Sequence, residues 1–156
     1  MTKLERYLHH LANILVGGTG LVYGWMLYFA TPSDEFSIWN HPWQGAFHDL
    51  HLLLAPVLVL AVGVLWQSHI KTRLRNGIVA RRRTGFGMLM TFLPMTFSGY
   101  LLQVTVEEQW RSIWLWIHLC SSALWVLAYV IHWLAKRPKS QIKPILRSER
   151  PLPNLP

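Results

Sequence analysis

One cysteine, Cys120, stands in the whole chain, so no disulfide can close within it; lying inside an apolar segment, it reads as a small packing residue. Charge is also scarce. Only 14% of the 156 residues are Asp, Glu, Lys or Arg, against 52% apolar, too little to cover a water-soluble domain, and the composition is that of a membrane protein. Acids are rarer still, seven in all, with none deep in an apolar run. There is no Pro/Gly/Ser-rich linker, defensible internal repeat or low-complexity tract, which leaves one domain.

What is present is four apolar runs. They predict spans over about 7–30, 46–70, 86–106 and 110–135, each long enough to cross a hydrocarbon core of ~30 Å at ~1.5 Å per residue. Short connections make the expected fold an all-α, four-helix up-down bundle over 1–135, followed by a basic, Pro-containing tail at 136–156. The first run continues to Phe29 without an Ala-x-Ala-like exit, so it is expected to stay as an uncleaved helix and not act as a signal peptide. Pro94 is expected to kink the third helix. Trp39 and Trp43 suit headgroup depth, and Trp110, Trp114, Trp116, Trp125 and Trp133 read mostly as interfacial or lipid-facing bulk.

The net charge of +8 does not point to nucleic acid, because the charges are sorted by loop. Residues 71–83 carry six bases and no acid, and 136–150 carry six bases with Glu149 alone opposing them. The alternate connections hold Asp34, Glu35 and Asp49, then Glu107 and Glu108. By the positive-inside bias, both termini are expected in the cytoplasm of a multi-pass membrane protein.

The histidines carry the chemistry. Neutral imidazole is the commonest metal ligand and an axial ligand of haem, and an ionisable residue inside a membrane is by default a functional candidate. His118 and His132 are 14 residues apart on the fourth helix, on one face and about 21 Å apart along it. That is too far for one metal and suits two haems, one near each surface. At the depth of His118 the second helix offers His51, preferred as the deeper residue, with His48 as rival. At the depth of His132 the first helix offers His9 and His10, and the second offers His69 close to the basic loop. Helical phase favours His10, which heads the stripe His10, Asn13, Gly17, Gly20, Gly24. The expected ligands are therefore His10, His51, His118 and His132, and the expected cofactors two haem b.

The segment "IHLCSSALWVLAYVIHW", with "RYLHHLAN" and "TFSGYLLQ", makes residues 6–135 resemble the di-haem cytochrome b subunits that anchor formate dehydrogenases, nickel-iron hydrogenases and thiosulfate reductases. The resemblance implies a respiratory-chain role in a bacterial inner membrane: electron transfer between a quinone pool and an extracytoplasmic partner, such as an iron-sulfur protein or a c-type cytochrome. It implies that His118 serves the outer haem and His132 the inner one, with His51 on the second helix. On the first helix the asparagine offset falls on His10 and the arginine offset on His9. Asn13 and Arg6 are candidate quinone contacts, and the acidic outer loops would receive the partner. The chain is short for that family and its second connection unusually basic.

No CxxCH, P-loop, dinucleotide fingerprint or zinc-protease helix occurs, so substrate chemistry is expected to belong to a partner subunit. Three other readings predict different features. A transporter relay needs acids along a polar path, a haem-free structural subunit makes the matched depths coincidence, and a direct membrane reductase or oxidase needs a pocket at one surface.

Overall fold

A computed structural model describes residues 2–32, 34–71 and 82–135. Within these the chain is helical almost throughout. α1 spans Lys3–Tyr28, α2 Gln44–Leu65, α3 Arg82–Val104 and α4 Glu108–Leu134, and α2 widens into a π-helical stretch over Trp66–Lys71. All four α-helices are long and apolar enough to cross a membrane. The architecture is the expected all-α, four-helix membrane-spanning bundle. The predicted tail at 136–156 and most of the basic connection, 72–81, lie outside the described residues.

Local sequence explains where the helices start and run. Thr2 caps α1 through a reciprocal box with Glu5: Thr2 Oγ1 accepts from the Glu5 amide at 3.2 Å, and Glu5 Oε2 accepts from the Thr2 amide at 2.7 Å. α3 continues through Pro94, and α2 through Pro56. Such prolines are tolerated in membrane helices, where neighbouring groups can re-satisfy the carbonyl freed one turn earlier.

The helices associate as two hairpins, α1 with α2 and α3 with α4. Loop 29–43 and the short turn at 105–107 share one end of the bundle, here called the acidic end, where Asp34, Glu35, Asp49, Glu107 and Glu108 gather. The opposite, basic end carries Lys3, Arg6, Lys71 and the start of α3. Between the hairpins lies a core built by Ala12 and Val16 of α1, Leu58, Ala61 and Val62 of α2, Met88, Phe92 and Met95 of α3, and Trp125 of α4. Most large apolar side chains outside that core face outward, as expected of helices whose solvent is lipid.

Two expectations need correction. Trp125 is not lipid-facing bulk: it is 4% exposed, packs on Phe92 with ring centres 5.4 Å apart, and donates its indole N–H to Asn13 Oδ1 at 2.8 Å. Hydrophobicity alone could not separate it from Trp110, Trp116 and Trp133, which are exposed. Cys120 is exposed on the outside of α4 and is not a packing residue of the core. Replacing Trp125 with phenylalanine keeps much of the apolar contact but leaves the Asn13 oxygen without its indole donor. A loss of about 1–3 kcal/mol is expected, visible as a lower melting temperature in detergent.

Candidate functional site

The acidic half of the bundle brings one imidazole from each hairpin together. His51 of α2 and His118 of α4 face each other with ring centres 6.3 Å apart and planes inclined at 74°. Each ring is seated on the first helix of its own hairpin by the same three parts. His51 Nδ1 lies 3.1 Å from the Val16 carbonyl and 3.3 Å from the Thr19 hydroxyl, while Gly20 passes beneath the ring. His118 Nδ1 lies 2.9 Å from the Met95 carbonyl and 3.5 Å from the Ser98 hydroxyl, with Gly99 beneath. In both hairpins the order is carbonyl, then hydroxyl three residues on, then glycine in the next position.

The chemistry of these partners fixes the tautomer. A backbone carbonyl only accepts, so in each pair Nδ1 carries the proton and donates, which leaves Nε2 as the ring nitrogen with the lone pair. The hydroxyls are already donors to their own helices: Thr19 to the carbonyls of Leu15 and Val16 at 2.8 and 3.1 Å, Ser98 to those of Pro94 and Met95 at 2.5 and 3.2 Å. The glycines supply clearance. A Cβ on Gly20 would sit 2.8 Å from His51 Cε1, and one on Gly99 3.1 Å from His118 Cε1.

The basic half repeats part of this pattern. His132 Nδ1 is 2.9 Å from the Thr84 hydroxyl, and a Cβ on Gly85 would meet His132 Cε1 at 3.7 Å. Thr84-Gly85 and Ser98-Gly99 are 14 residues apart on α3, as His118 and His132 are on the antiparallel α4, so one register serves both levels. From α1, His10 Nδ1 reaches the Tyr129 hydroxyl at 2.6 Å and its ring packs on Trp133 with centres 6.1 Å apart. The Asn13 amide nitrogen donates to the His9 carbonyl at 2.8 Å and lies 3.3 and 3.4 Å from the two His9 ring nitrogens.

Of the four predicted ligands, then, His51 and His118 face each other directly, and His10 and His132 lie in the same basic half. The rivals are placed too. His48 Nδ1 is 2.9 Å from Asp49 Oδ1, with its ring beside Tyr23. His41 Nδ1 accepts from the Trp43 amide at 3.2 Å in the acidic-end loop. His69 falls in the π-helical stretch, and its side chain lies outside the described residues. Of the two candidate quinone contacts, Asn13 is committed to His9 and Trp125, and the Arg6 guanidinium lies over Tyr7, 5.7 Å from the ring centre. Sequence reasoning singled out "TFSG" but missed Thr19-Gly20 and Thr84-Gly85 as its counterparts; three hydroxyl-glycine pairs, two of them at the histidine spacing, are the signal that marks them.

Among the described residues no three His, Cys, Asp or Glu side chains converge. The facing pair offers two imidazoles, a donor set that could serve a metal whose other positions are already filled, as in a macrocycle. Its dimension agrees: two metal–nitrogen bonds of ~2.0–2.1 Å plus the radii of two five-membered rings span about 6 Å. Haem iron is the biological metal that combines a filled equatorial plane with axial histidine. Comparison of the chain with protein-family models, curated proteins and solved structures gives no match.

Proposed function

We infer that this protein is a membrane electron-transfer subunit that holds two b-type haems and relays electrons between a quinone pool and a redox partner at its acidic end. The observation that carries the reading is the His51–His118 pair: two imidazoles from different hairpins, with Nδ1 of each tied to a carbonyl and a glycine under each ring. His51 and His118 would hold one haem. His132, seated on Thr84 and Gly85, would hold the second with His10. Haem held by two imidazoles supplies one-electron relay, with no open iron position for oxygen chemistry.

The chain's own residues do the rest. The carbonyls of Val16 and Met95 orient the rings and raise their basicity. The apolar core from Ala12 to Trp125 would lie between the two levels and keep water from the space there. Asp34, Glu35, Asp49, Glu107 and Glu108 give the acidic end a sign suited to a basic partner surface, such as that of a c-type cytochrome or an iron-sulfur subunit. On the positive-inside bias, the basic end and both termini would face the cytoplasm of a bacterial inner membrane.

A reduced-minus-oxidised optical spectrum with pyridine haem quantitation on the purified protein tests the reading. Two b haems per chain are expected; a protein that purifies folded with no stoichiometric haem would sink it.

A further inference from the structure

α1 presents two adjacent histidines at one depth, and α4 treats them differently. Resting on the di-haem reading above, we propose that Tyr129 is a positioning residue: its hydroxyl takes His10 Nδ1, makes His10 and not His9 the α1 ligand, and tunes the electron affinity of the basic-end centre.

The contrast lies in what each ring meets. Tyr129 offers His10 an oxygen at 2.6 Å. A phenol can donate or accept; with a metal on Nε2 the proton of His10 must sit on Nδ1, and the Tyr129 oxygen would then accept it, the role that the Val16 and Met95 carbonyls have for His51 and His118. His9 meets the opposite kind of group. The Asn13 side-chain nitrogen, a donor only, lies within 3.4 Å of both its ring nitrogens and donates to the His9 carbonyl at 2.8 Å, so this ring is set against an N–H group and not against an oxygen.

That amide cannot turn around, because Trp125 donates to its oxygen at 2.8 Å inside the core. Asn13 is therefore held with its nitrogen toward His9, and the holding group comes from α4, one turn before Tyr129. Trp125 and Tyr129 are four residues apart on one face of α4. Between them they sort the two neighbours: Trp125, through Asn13, engages His9, and Tyr129 engages His10. His9 also stands edge-on to the Tyr129 ring, with centres 5.8 Å apart, which packs it beside the phenol.

The tuning follows from the direction of the hydrogen bond. Accepting the Nδ1–H pushes electron density onto the imidazole, favouring the oxidised metal. Loss of the acceptor therefore raises the midpoint potential of that centre, and the His51–His118 centre, seated at the other level, does not move.

Redox potentiometry of the full-length haem-loaded protein, read optically and by electron paramagnetic resonance, tests this with Tyr129→Phe, His9→Ala and His10→Ala. Tyr129→Phe should keep both haems, raise one midpoint potential and leave the other in place. His9→Ala should keep two haems, and His10→Ala should lose the one that Tyr129→Phe shifts. Should Tyr129→Phe prevent folding, 3-fluorotyrosine at position 129 keeps the shape and weakens the acceptor, and should raise the same potential by a smaller step. Two haems with both potentials unmoved by either change, or loss of a haem in His9→Ala with none in His10→Ala, overturn the proposal while leaving the di-haem reading standing. A wild-type protein without haem removes the reading itself.

Discussion

Replacing His118 with alanine is expected to cut the haem bound from two per chain to one, with the surviving haem spectrally unchanged. The ring is one half of a clamp whose other half, His51, sits across the hairpin interface with its centre 6.3 Å away. His51→Ala should therefore remove the same haem, and the double variant should lose no more than either single one, because the two residues serve one site. His48→Ala is the internal control. Its imidazole is engaged by Asp49 at 2.9 Å in the next turn toward the acidic surface, and its loss should leave the haem content at two. Pyridine haem quantitation on the four proteins reads all of these outcomes, and full retention in both His51→Ala and His118→Ala would break the clamp assignment.

The second large effect comes from residues with no side chain. Gly20→Val and Gly99→Val are each expected to abolish the acidic-half haem although all eight histidines remain. At Gly20 the first added carbon would already stand 2.8 Å from His51 Cε1, closer than such atoms approach, so the ring must leave its seat and lose the Val16 carbonyl. At Gly99 the corresponding distances are 3.1 and 3.2 Å to His118, and the branched carbons of valine add to the clash. Gly18→Ala and Gly24→Ala bound the effect from below: nothing lies within 4 Å of a Cβ at either position, so haem content should not change. Equal losses at all four glycines would mean that helix contact in general, and not clearance for the two rings, is what the glycines provide.

Much of this arrangement was legible in the sequence because a membrane imposes length and polarity on each helix. The four spans came out within a few residues of their helices, and the period of α4 put His118 and His132 on one face before any partner was known. What was not legible depends on neighbours that helical phase cannot name. The stripe from His10 to Gly24 is sound as a face, yet Gly20 closes on His51 at its foot whereas Gly24 opens onto space, since only one of them lies opposite an imidazole. Trp125 has the composition of its lipid-facing neighbours, and only the Asn13 oxygen across the bundle explains why it turns inward. His9 and His10 differ by a rotation of 100° on α1. Phase and the asparagine offset of the first helix favour His10, but the groups that the two rings meet, Asn13 Nδ2 and Tyr129 Oη, include one from α4 that the first helix cannot name.

The pairing of α1 with α2 and of α3 with α4 has a further consequence. The His51–His118 pair draws its two halves from different hairpins, so a ligand held between them would act as a stitch between units that otherwise meet mainly through one shared apolar seam. Occupancy and fold are then coupled by mass action: a ligand bound only to the closed bundle stabilises it by RT ln(1 + [L]/Kd), about 4 kcal/mol at a thousandfold excess over Kd. If haem is that ligand, as proposed above, its supply would shift the balance between joined and separated hairpins and so the amount of finished protein in the membrane.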